Sequence, residues 1–537
     1  MHTKYIVVLG SLLSGLGKGI VTSSIAKILY FYGYKALPMK FDGYLNYDCG
    51  TMNPFRHGEV FVLDDKSEVD MDFGNYERFL NIDLTGDLSM TGGKVFSTII
   101  SKERKGDFLG RDVQFIPHVT DYIIERVEGI AKKHKLDVML IEVGGTVGDI
   151  ENSYFIEAMR QLSLKHKTVF VNITYVPSLS VVGEQKTKPT QLALRSMMQG
   201  GIRPDFIICR GERQIGEDAM SKIANFANLP RKSVLDDHDL DSIYDLPSHL
   251  MHQGFGTELL GALGLKRKKV IGSRLGAWKG NVQGINSEKE KNVRISIVGK
   301  YMNLRDSYVS LRESLVHAAA TNHAGLEINW IESEELETAS KERVAELFGK
   351  SDGVIVPGGF GSRGIEGMIR AIEYARTNRI PYLGLCLGMQ LMSIEYARNV
   401  CGLSGANSSE FDKDARYKII KLMDDQKTMK YKGGTMRLGS WPTKIKKGTA
   451  AYAAYGKELI FERHRHRYEF NNSYRKKLEE AGLVISATTP NNMLVEMVEW
   501  QNSFGIGTQA HPELKSKVEN PSPLFVSFIK AALGKSS

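Results

Sequence analysis

Cysteine is scarce. The chain of 537 residues holds four, Cys49, Cys209, Cys386 and Cys401, with no C-x-x-C spacing among them. That excludes a disulfide framework and a zinc site of ordinary spacing, and it fits a reducing compartment, so a cytoplasmic location is expected. No uninterrupted apolar run reaches the ~18 residues of a membrane span. The opening residues MHTKYIVVLGSLL lead into SGLGKG rather than a small-residue cleavage site, so neither a membrane association nor a secretion signal is expected. Long blocks of one charge sign are also missing: Lys plus Arg is 71 against Asp plus Glu 62, a net +9 spread along the chain. This suits small anionic substrates better than a nucleic-acid groove, and no nucleic-acid partner is expected. No repeat of solenoid length occurs.

What is present is an α/β rhythm. Short apolar, β-branched runs (YIVVLG, DVMLIEVGG, TVFVNITYV and DFIICRG) alternate with segments of helical period, which predicts a parallel sheet with crossover helices. IVTSSIAKILYFYG places Ile25, Ile28 and Leu29 on one face and stops at Gly33. From Ser273 to Lys291 the apolar period lapses into Gly, Asn, Ser and alternating charge, as in an interdomain linker. A second α/β pattern then runs through VRISIVGKY, INWIES, DGVIVPGG, PYLGLCLG and FGIGTQAHPE. The expectation is two α/β domains over 1–272 and 292–537, the first a P-loop-like Rossmann-type parallel sheet, joined by a linker over 273–291.

In the first half, LGSLLSGLGKGI follows a strand and opens a helix, the setting in which backbone N–H groups and a helix N-terminus bind phosphate, with Lys18 in reach of it. The spacing is not that of G-x-x-x-x-G-K-[ST], and Gly19 stands where a magnesium-binding hydroxyl would be. Carboxylates elsewhere must then hold the metal. Asp70 and Asp72, at alternate positions on one strand face, and Glu142 are the candidates.

In the second half, PYLGLCLGMQL reads as strand, tight turn and helix, an elbow that exposes Cys386 to a helix N-terminus. GVIVPGGFGSRG ends a strand in Gly358 and Gly359, whose amides suit an oxyanion hole. GTQAHPE sets His511 beyond another strand, with Glu513 two residues later. A sulfur nucleophile, a base and an orienting carboxylate are thereby all supplied, and the implied chemistry is attack on an amide carbonyl with release of ammonia.

These three corners in order resemble class I (triad) glutamine amidotransferases. Together with SGLGKGI, NPFRHGEVFV, DFGNYERF, KERKGDFLG, IEVGGTVGDIEN, GEQKTKPTQ, DLDSIYDLP, GGTMRLG and RHRHRYEFNN, nearly the whole chain resembles the CTP synthase family. The resemblance implies a ligase that aminates UTP at C4 with ATP, through a 4-phosphorylated intermediate, using ammonia from L-glutamine. It implies GTP as allosteric activator, CTP as inhibitor, magnesium with ATP, and a homotetramer able to form filaments.

Carried over position by position, Gly15, Leu16, Gly17, Lys18, Gly19, Ile20, Lys40 and Asp72 would bind ATP, with Asp72 and Glu142 holding the metal. Ser14, Lys186, Thr187, Lys188, Pro189, Thr190, Gln191 and Lys222 would meet the pyrimidine nucleotide, and Asp149, Ile150 and Glu151 would recognise CTP. Gly359, Leu387, Gly388, Met389, Gln390, Glu410 and Arg467 would hold glutamine around Cys386. Arg437 would belong to the GTP-responsive lid, and His57 and Val60 to the gate of an ammonia passage.

The chain departs from the family at Ser11, Gly15, Gly43 and Cys49; the last two replace usual prolines and would loosen the turn there. Two other classes compete: a carboxylate-amidating enzyme of similar layout, such as the cobyrinic-acid type, and a non-catalytic nucleotide-sensing assembly protein. His464 and His466 in ERHRHRYEFNN also raise a metal or nucleic-acid reading, which needs further ligands nearby.

Overall fold

The computed structural model describes residues 2–53, 57–179, 183–300, 302, 305–423 and 434–535. These form two compact units, residues 1–49 with 75–286 and residues 50–74 with 287–537. Both are α/β, as the alternation of runs predicts.

Among the described residues, the first unit holds a seven-stranded parallel sheet. Its strands lie in the order Val234–His238, Phe206–Gly211, Thr168–Tyr175, Lys4–Gly10, Val138–Val143, Ala36–Asp42 and Ser89–Thr91. Alternate residues of the central strands, such as Ile6 and Val8, face the helix Lys18–Phe31, whose Ile25, Ile28 and Leu29 are fully buried against them. The near-continuous apolar runs have their cause here: a parallel sheet is covered on both faces. Gly33 takes φ +75° just past the helix end, a left-handed turn that glycine adopts without strain.

The second unit carries a nine-stranded sheet among the described residues. Ala324–Glu332, Lys291–Gly299, Gly353–Val356, Tyr382–Leu385 and Gly505–Thr508 run parallel. Val495–Trp500, Leu483–Thr488, Arg437–Ile445 and Leu459–His466 continue it antiparallel. The functional corners lie where the parallel strands end, the usual place for sites in open α/β sheets.

Three expectations from the sequence require correction. The stretch 273–291 is not an irregular linker, because Gly272–Asn286 is a helix of the first unit. Its anchor is Trp278, fully buried, with Nε1 donating to the Tyr244 carbonyl at 3.1 Å and the Lys27 ammonium 4.4 Å from its ring. The first domain is also not continuous over 1–272, since residues 50–74 fold with the second unit. Ion pairs of that unit hold them there: Arg463 Nε to Asp64 at 2.6 Å and Arg465 Nε to Glu68 at 2.8 Å. Asp70 and Asp72 do not share a strand face, because Asp72 begins the helix Asp72–Leu80 and its N–H donates to Asp70 Oδ1 at 2.9 Å. Gly43 also has a steric role. A Cβ there would lie 2.6 Å from the Glu151 carbonyl oxygen, so the glycine permits a close backbone approach.

Candidate active site

Cys386 joins the strand Tyr382–Leu385 to the helix Leu387–Asn399 at φ +50°, ψ −98°. Such a conformation costs a non-glycine residue about 1–3 kcal/mol and persists only where its surroundings enforce it. Here the Cys386 N–H donates to the Thr508 carbonyl at 2.7 Å. The flanking glycines are steric necessities, because a Cβ on Gly388 would lie 2.1 Å from the Val356 oxygen and one on Gly384 2.7 Å from the Gly388 carbonyl carbon. Strand and helix thus meet too closely for any side chain, and the thiol is held at the corner.

His511 follows the strand Gly505–Thr508, and its Nδ1 bonds Glu513 Oε1 at 2.7 Å. Both side chains are largely buried. Burial disfavours the imidazolium, but the Glu513 carboxylate and negative charge at Cys386 outweigh it and push the imidazole up to about 10. His511 Nε2 is buried without a hydrogen bond of regular geometry, and such catalytic contacts often tighten only when substrate arrives. A Cβ on Gly358 would meet His511 Cε1 at 2.8 Å and Cys386 Cβ at 3.7 Å, so the Gly358–Gly359 turn, the thiol and the imidazole converge. With Glu59, Val60 and Arg465 they line one cavity of about 340 Å3.

Three groups at this site gave no sequence signal strong enough to single them out. Gln509 Nε2 donates to the Cys386 sulfur at 3.6 Å, and its Oε1 accepts from Gln390 at 3.2 Å. Lys300, nearly buried, donates from Nζ to the carbonyls of Phe360 (3.1 Å) and Gly361, fixing the glycine turn. Burial lowers its pKa to about 8, against the pull of Glu410. Arg463, held by Asp64, donates from Nη1 to the Leu514 carbonyl at 3.0 Å and accepts at its own carbonyl from the His511 N–H at 2.7 Å. Residues 50–74 therefore buttress the histidine turn. The signal that could have found Lys300 is its place immediately after a strand ending in glycine.

The other residues expected around glutamine are placed unequally. Gly359 lines the cavity, and Leu387, Gly388, Met389 and Gln390 form the buried first turn beyond Cys386. Glu410 accepts from the Gly361 N–H at 3.1 Å and Arg467 donates to Thr435 at 2.9 Å, both outside the cavity lining. Val60 lines the cavity; His57 is exposed and does not. Arg437 is buried between Glu469 (3.0 Å) and Glu496 (2.6 Å). Residues 424–433, which include the first glycine of GGTMRLG, and residues 54–56 of NPFRHGEVFV lie outside the described residues. His464 and His466 are buried beside Arg437 and bond each other at 3.0 Å. Burial first, then the Arg437 charge, holds both far below the ordinary histidine range.

In the first unit Gly15 and Gly17 take φ +77° and +83°, and Gly17 caps the helix that begins at Lys18. Ser14 and Gly15 are exposed, Ile20 is half-buried, and Leu16 and Gly19 are buried. Lys18 Nζ donates to the Gly145 carbonyl at 2.6 Å. Lys40 and Glu142 face each other in adjacent strands and form a buried pair at 2.7 Å, while the Tyr76 hydroxyl donates to the other Glu142 oxygen. Asp149 accepts from the Thr146 N–H (2.6 Å) and hydroxyl (2.8 Å), and Ile150 and Glu151 beside it are exposed. Lys188 and Pro189 line a cavity of about 410 Å3 with Thr146 and Val147. Lys222 lines another, of about 450 Å3, with Glu184 and Gln185. The two cavities share no lining residue. Of their neighbours, Lys186 pairs with Glu184 at 2.5 Å, Thr187 accepts from Gln191 at 3.2 Å, and buried Thr190 donates to the Tyr175 carbonyl at 3.1 Å. No cysteine is in a disulfide, and among the described residues no helix is long and apolar enough to cross a membrane.

Residues 4–265 match the family described as CTP synthase N-terminus, and residues 303–531 the family described as Glutamine amidotransferase class-I. A parallel α/β unit with a glycine-rich turn, joined to a class I glutaminase, defines a glutamine-dependent ligase. The CTP synthase of Caldanaerobacter subterraneus subsp. tengcongensis is 47% identical over 99% of this chain and 98% of its own length. That of Pyrococcus furiosus is 48% identical, over 99% and 98%. The solved glutaminase domain of Trypanosoma brucei CTPS with bound acivicin is 40% identical, covering 45% of this chain and 94% of that one, with a TM-score of 0.43. The chain belongs to the CTP synthase family.

Proposed function

We propose that this enzyme converts UTP to CTP by ATP-dependent amination at C4, with nitrogen from glutamine, in pyrimidine nucleotide synthesis in the cytoplasm. The observation that carries the reading is the convergence of Cys386, the His511–Glu513 pair and the Gly358–Gly359 turn on one cavity, in a chain that also bears the glycine-rich turn with Lys18.

In the glutaminase, the Cys386 thiol passes its proton to His511 as Sγ attacks the side-chain amide carbon of glutamine. The amides of Gly359 and Leu387 receive the developing oxyanion, Leu387 as the first residue of a helix whose N–H has no intrahelical acceptor. His511 gives its proton to the leaving nitrogen, which departs as ammonia and leaves a thioester. It then takes a proton from water, whose attack releases glutamate and restores the thiol. Glu513 keeps the imidazole in the required tautomer and orientation. Glu410 and Arg467 complete glutamine recognition, and Val60 with His57 gates the ammonia.

In the synthase part, residues 15–20 bind ATP phosphates, and Lys18 and Lys40 neutralise charge as the γ-phosphoryl group moves to the uracil O4. That oxygen leaves as phosphate when ammonia adds to C4. Such transfer rests on positioning and charge neutralisation. The donor chemistry fits magnesium, which takes hard carboxylate oxygens, and Asp72 and Glu142 would hold it with the nucleotide phosphates. Glu142 bonds Lys40 here, so Lys40 exchanges that partner for phosphate when nucleotide binds. Ser14, residues 186–191 and Lys222 bind UTP, and residues 149–151 read CTP as inhibitor. GTP activates through the region of Arg437, and the enzyme works as a homotetramer that can assemble into filaments.

The test supplies UTP, ATP, magnesium and glutamine, with and without GTP, and follows CTP. Formation of CTP, faster with GTP, is expected. Absence of product with both glutamine and ammonia refutes the proposal, and amidation of a carboxylate substrate would move the enzyme to the rival class.

A further inference from the structure

The first unit contains a side-chain cluster to which the mechanism above gives no role. Asp236 and His238 close the strand Val234–His238, and His249 lies in the helix Leu246–His252. One ligating atom from each residue lies within 4.8 Å of the other two. His238 Nδ1 is 2.6 Å and His249 Nε2 3.4 Å from the same Asp236 oxygen, Oδ2. Bonds of ~2.0–2.2 Å in a tetrahedral site set ligand atoms about 3.4 Å apart. The 3.4 Å separation already matches, the 2.6 Å one needs less than 1 Å of opening, within reach of a rotation of the partly exposed His238 ring, and the two histidine nitrogens lie within 4.8 Å of each other.

The carboxylate is aimed by the backbone. Asp236 Oδ1 accepts from the Ile215 N–H at 2.9 Å, while the Asp236 N–H donates to Gln253 Oε1 at 2.8 Å. Oδ2 is thereby left turned to the two histidines. His249 Nε2 donates to the Asp236 carbonyl at 2.9 Å, and a metal would take that nitrogen; the carbonyl keeps a second donor, Gln253 Nε2, at 2.8 Å. Metallation therefore leaves no buried backbone acceptor unpaired. Outer groups that orient ligands in this way are a regular part of metal centres.

We propose that Asp236, His238 and His249 bind one divalent late-transition cation, zinc above all. Two imidazoles and a carboxylate select such an ion over magnesium or calcium, which require mostly oxygen ligands. A partly exposed edge leaves room for water in a fourth position. The ion ties the end of a sheet strand to the helix that follows and clamps the turn 239–245 between them.

The test uses the full-length protein, stripped with a chelator and free of nucleotide and glutamine, so its outcome is independent of the reaction proposed above. Cobalt(II) is titrated and followed by visible absorption, then displaced with zinc(II). One equivalent should bind with ligand-field bands lacking sulfur charge transfer, zinc should displace it, and zinc should raise the melting temperature. Excess magnesium should not compete, and Cys386→Ala should change nothing. His238→Gln, which removes a single side-chain bond, and His249→Gln should each weaken binding at least ~10-fold and cancel the thermal shift. Lack of stoichiometric binding, displacement by magnesium, or unchanged binding in a folded His238→Gln protein overturns the proposal.

Discussion

Gly358→Ala gives a direct measure of how tightly the glutaminase geometry is held. The added methyl carbon would lie 2.8 Å from His511 Cε1, while ordinary contact begins near 3.4 Å, so the imidazole or the turn must give by about 0.6 Å. The ring cannot swing away at no cost, because Nδ1 is fixed to Glu513 at 2.7 Å and the preceding backbone to Arg463. The turn is fixed in its own right by Lys300 at Phe360 and Gly361. Misplacement of a catalytic group by 1 Å costs up to ~10²-fold in rate, so a shift of this size should lower glutamine-dependent turnover by roughly 10- to 50-fold. Ammonia-dependent CTP formation in the same variant should stay within about twofold of the parent, since no synthase group is touched. Parallel steady-state assays with each nitrogen source supply the comparison. An unchanged glutaminase rate would refute the claim that imidazole position limits this chemistry, and an equal loss with ammonia would show that the substitution acts elsewhere.

Cys386→Ala should reduce glutamine-dependent synthesis by more than ~10⁴-fold while ammonia still supports CTP formation; loss of both in a folded protein would break the two-site account. Arg437→Met removes the guanidinium that pairs with buried Glu469 and Glu496, a change that costs about 3–5 kcal/mol. Urea unfolding at neutral pH should show it, with partial relief in acid because burial already raises the pKa of Glu496. His464 and His466, held far below 6.5 in the fold, stay neutral while the unfolded chain takes up protons. Their contribution is fully present above pH 6.5 and falls below it, approaching about 1.4 kcal/mol per pH unit for each histidine. The drop in stability between pH 7.5 and 5.5 should therefore be smaller in His464→Gln than in the parent, a comparison that cancels the opposing groups Asp237 and Glu462; an equal drop would contradict it.

The parallel strands and the elbow at Cys386 were readable because their causes are local. A strand covered on both faces must be apolar throughout, and a sharp strand-to-helix turn needs glycine on both sides of its central residue. The attachment of residues 50–74 was not readable, since it rests on Asp64–Arg463 and Glu68–Arg465, pairs nearly four hundred positions apart. Polar segments such as LDDH and ERHRH gave no strand signal because tertiary partners satisfy their charges. The helix Gly272–Asn286 was missed for a related reason: its composition is poor in helix formers, and buried Trp278 and Val282 hold it in place. At the active site the chemistry-bearing residues stood out by type and order. Gln509 and Lys300 did not, because what they do depends on which carbonyls and sulfur they reach.

The central claim is that nitrogen released at Cys386 is the nitrogen built into the nucleotide. Glutamine carrying heavy nitrogen in its side-chain amide, supplied with UTP, ATP and magnesium in the presence of unlabelled ammonium, tests this by mass spectrometry of the CTP formed. The account predicts that most product molecules carry the label on the C4 amine, and that the label vanishes in Cys386→Ala. CTP bearing only unlabelled nitrogen, made while labelled glutamine is being hydrolysed, would contradict it.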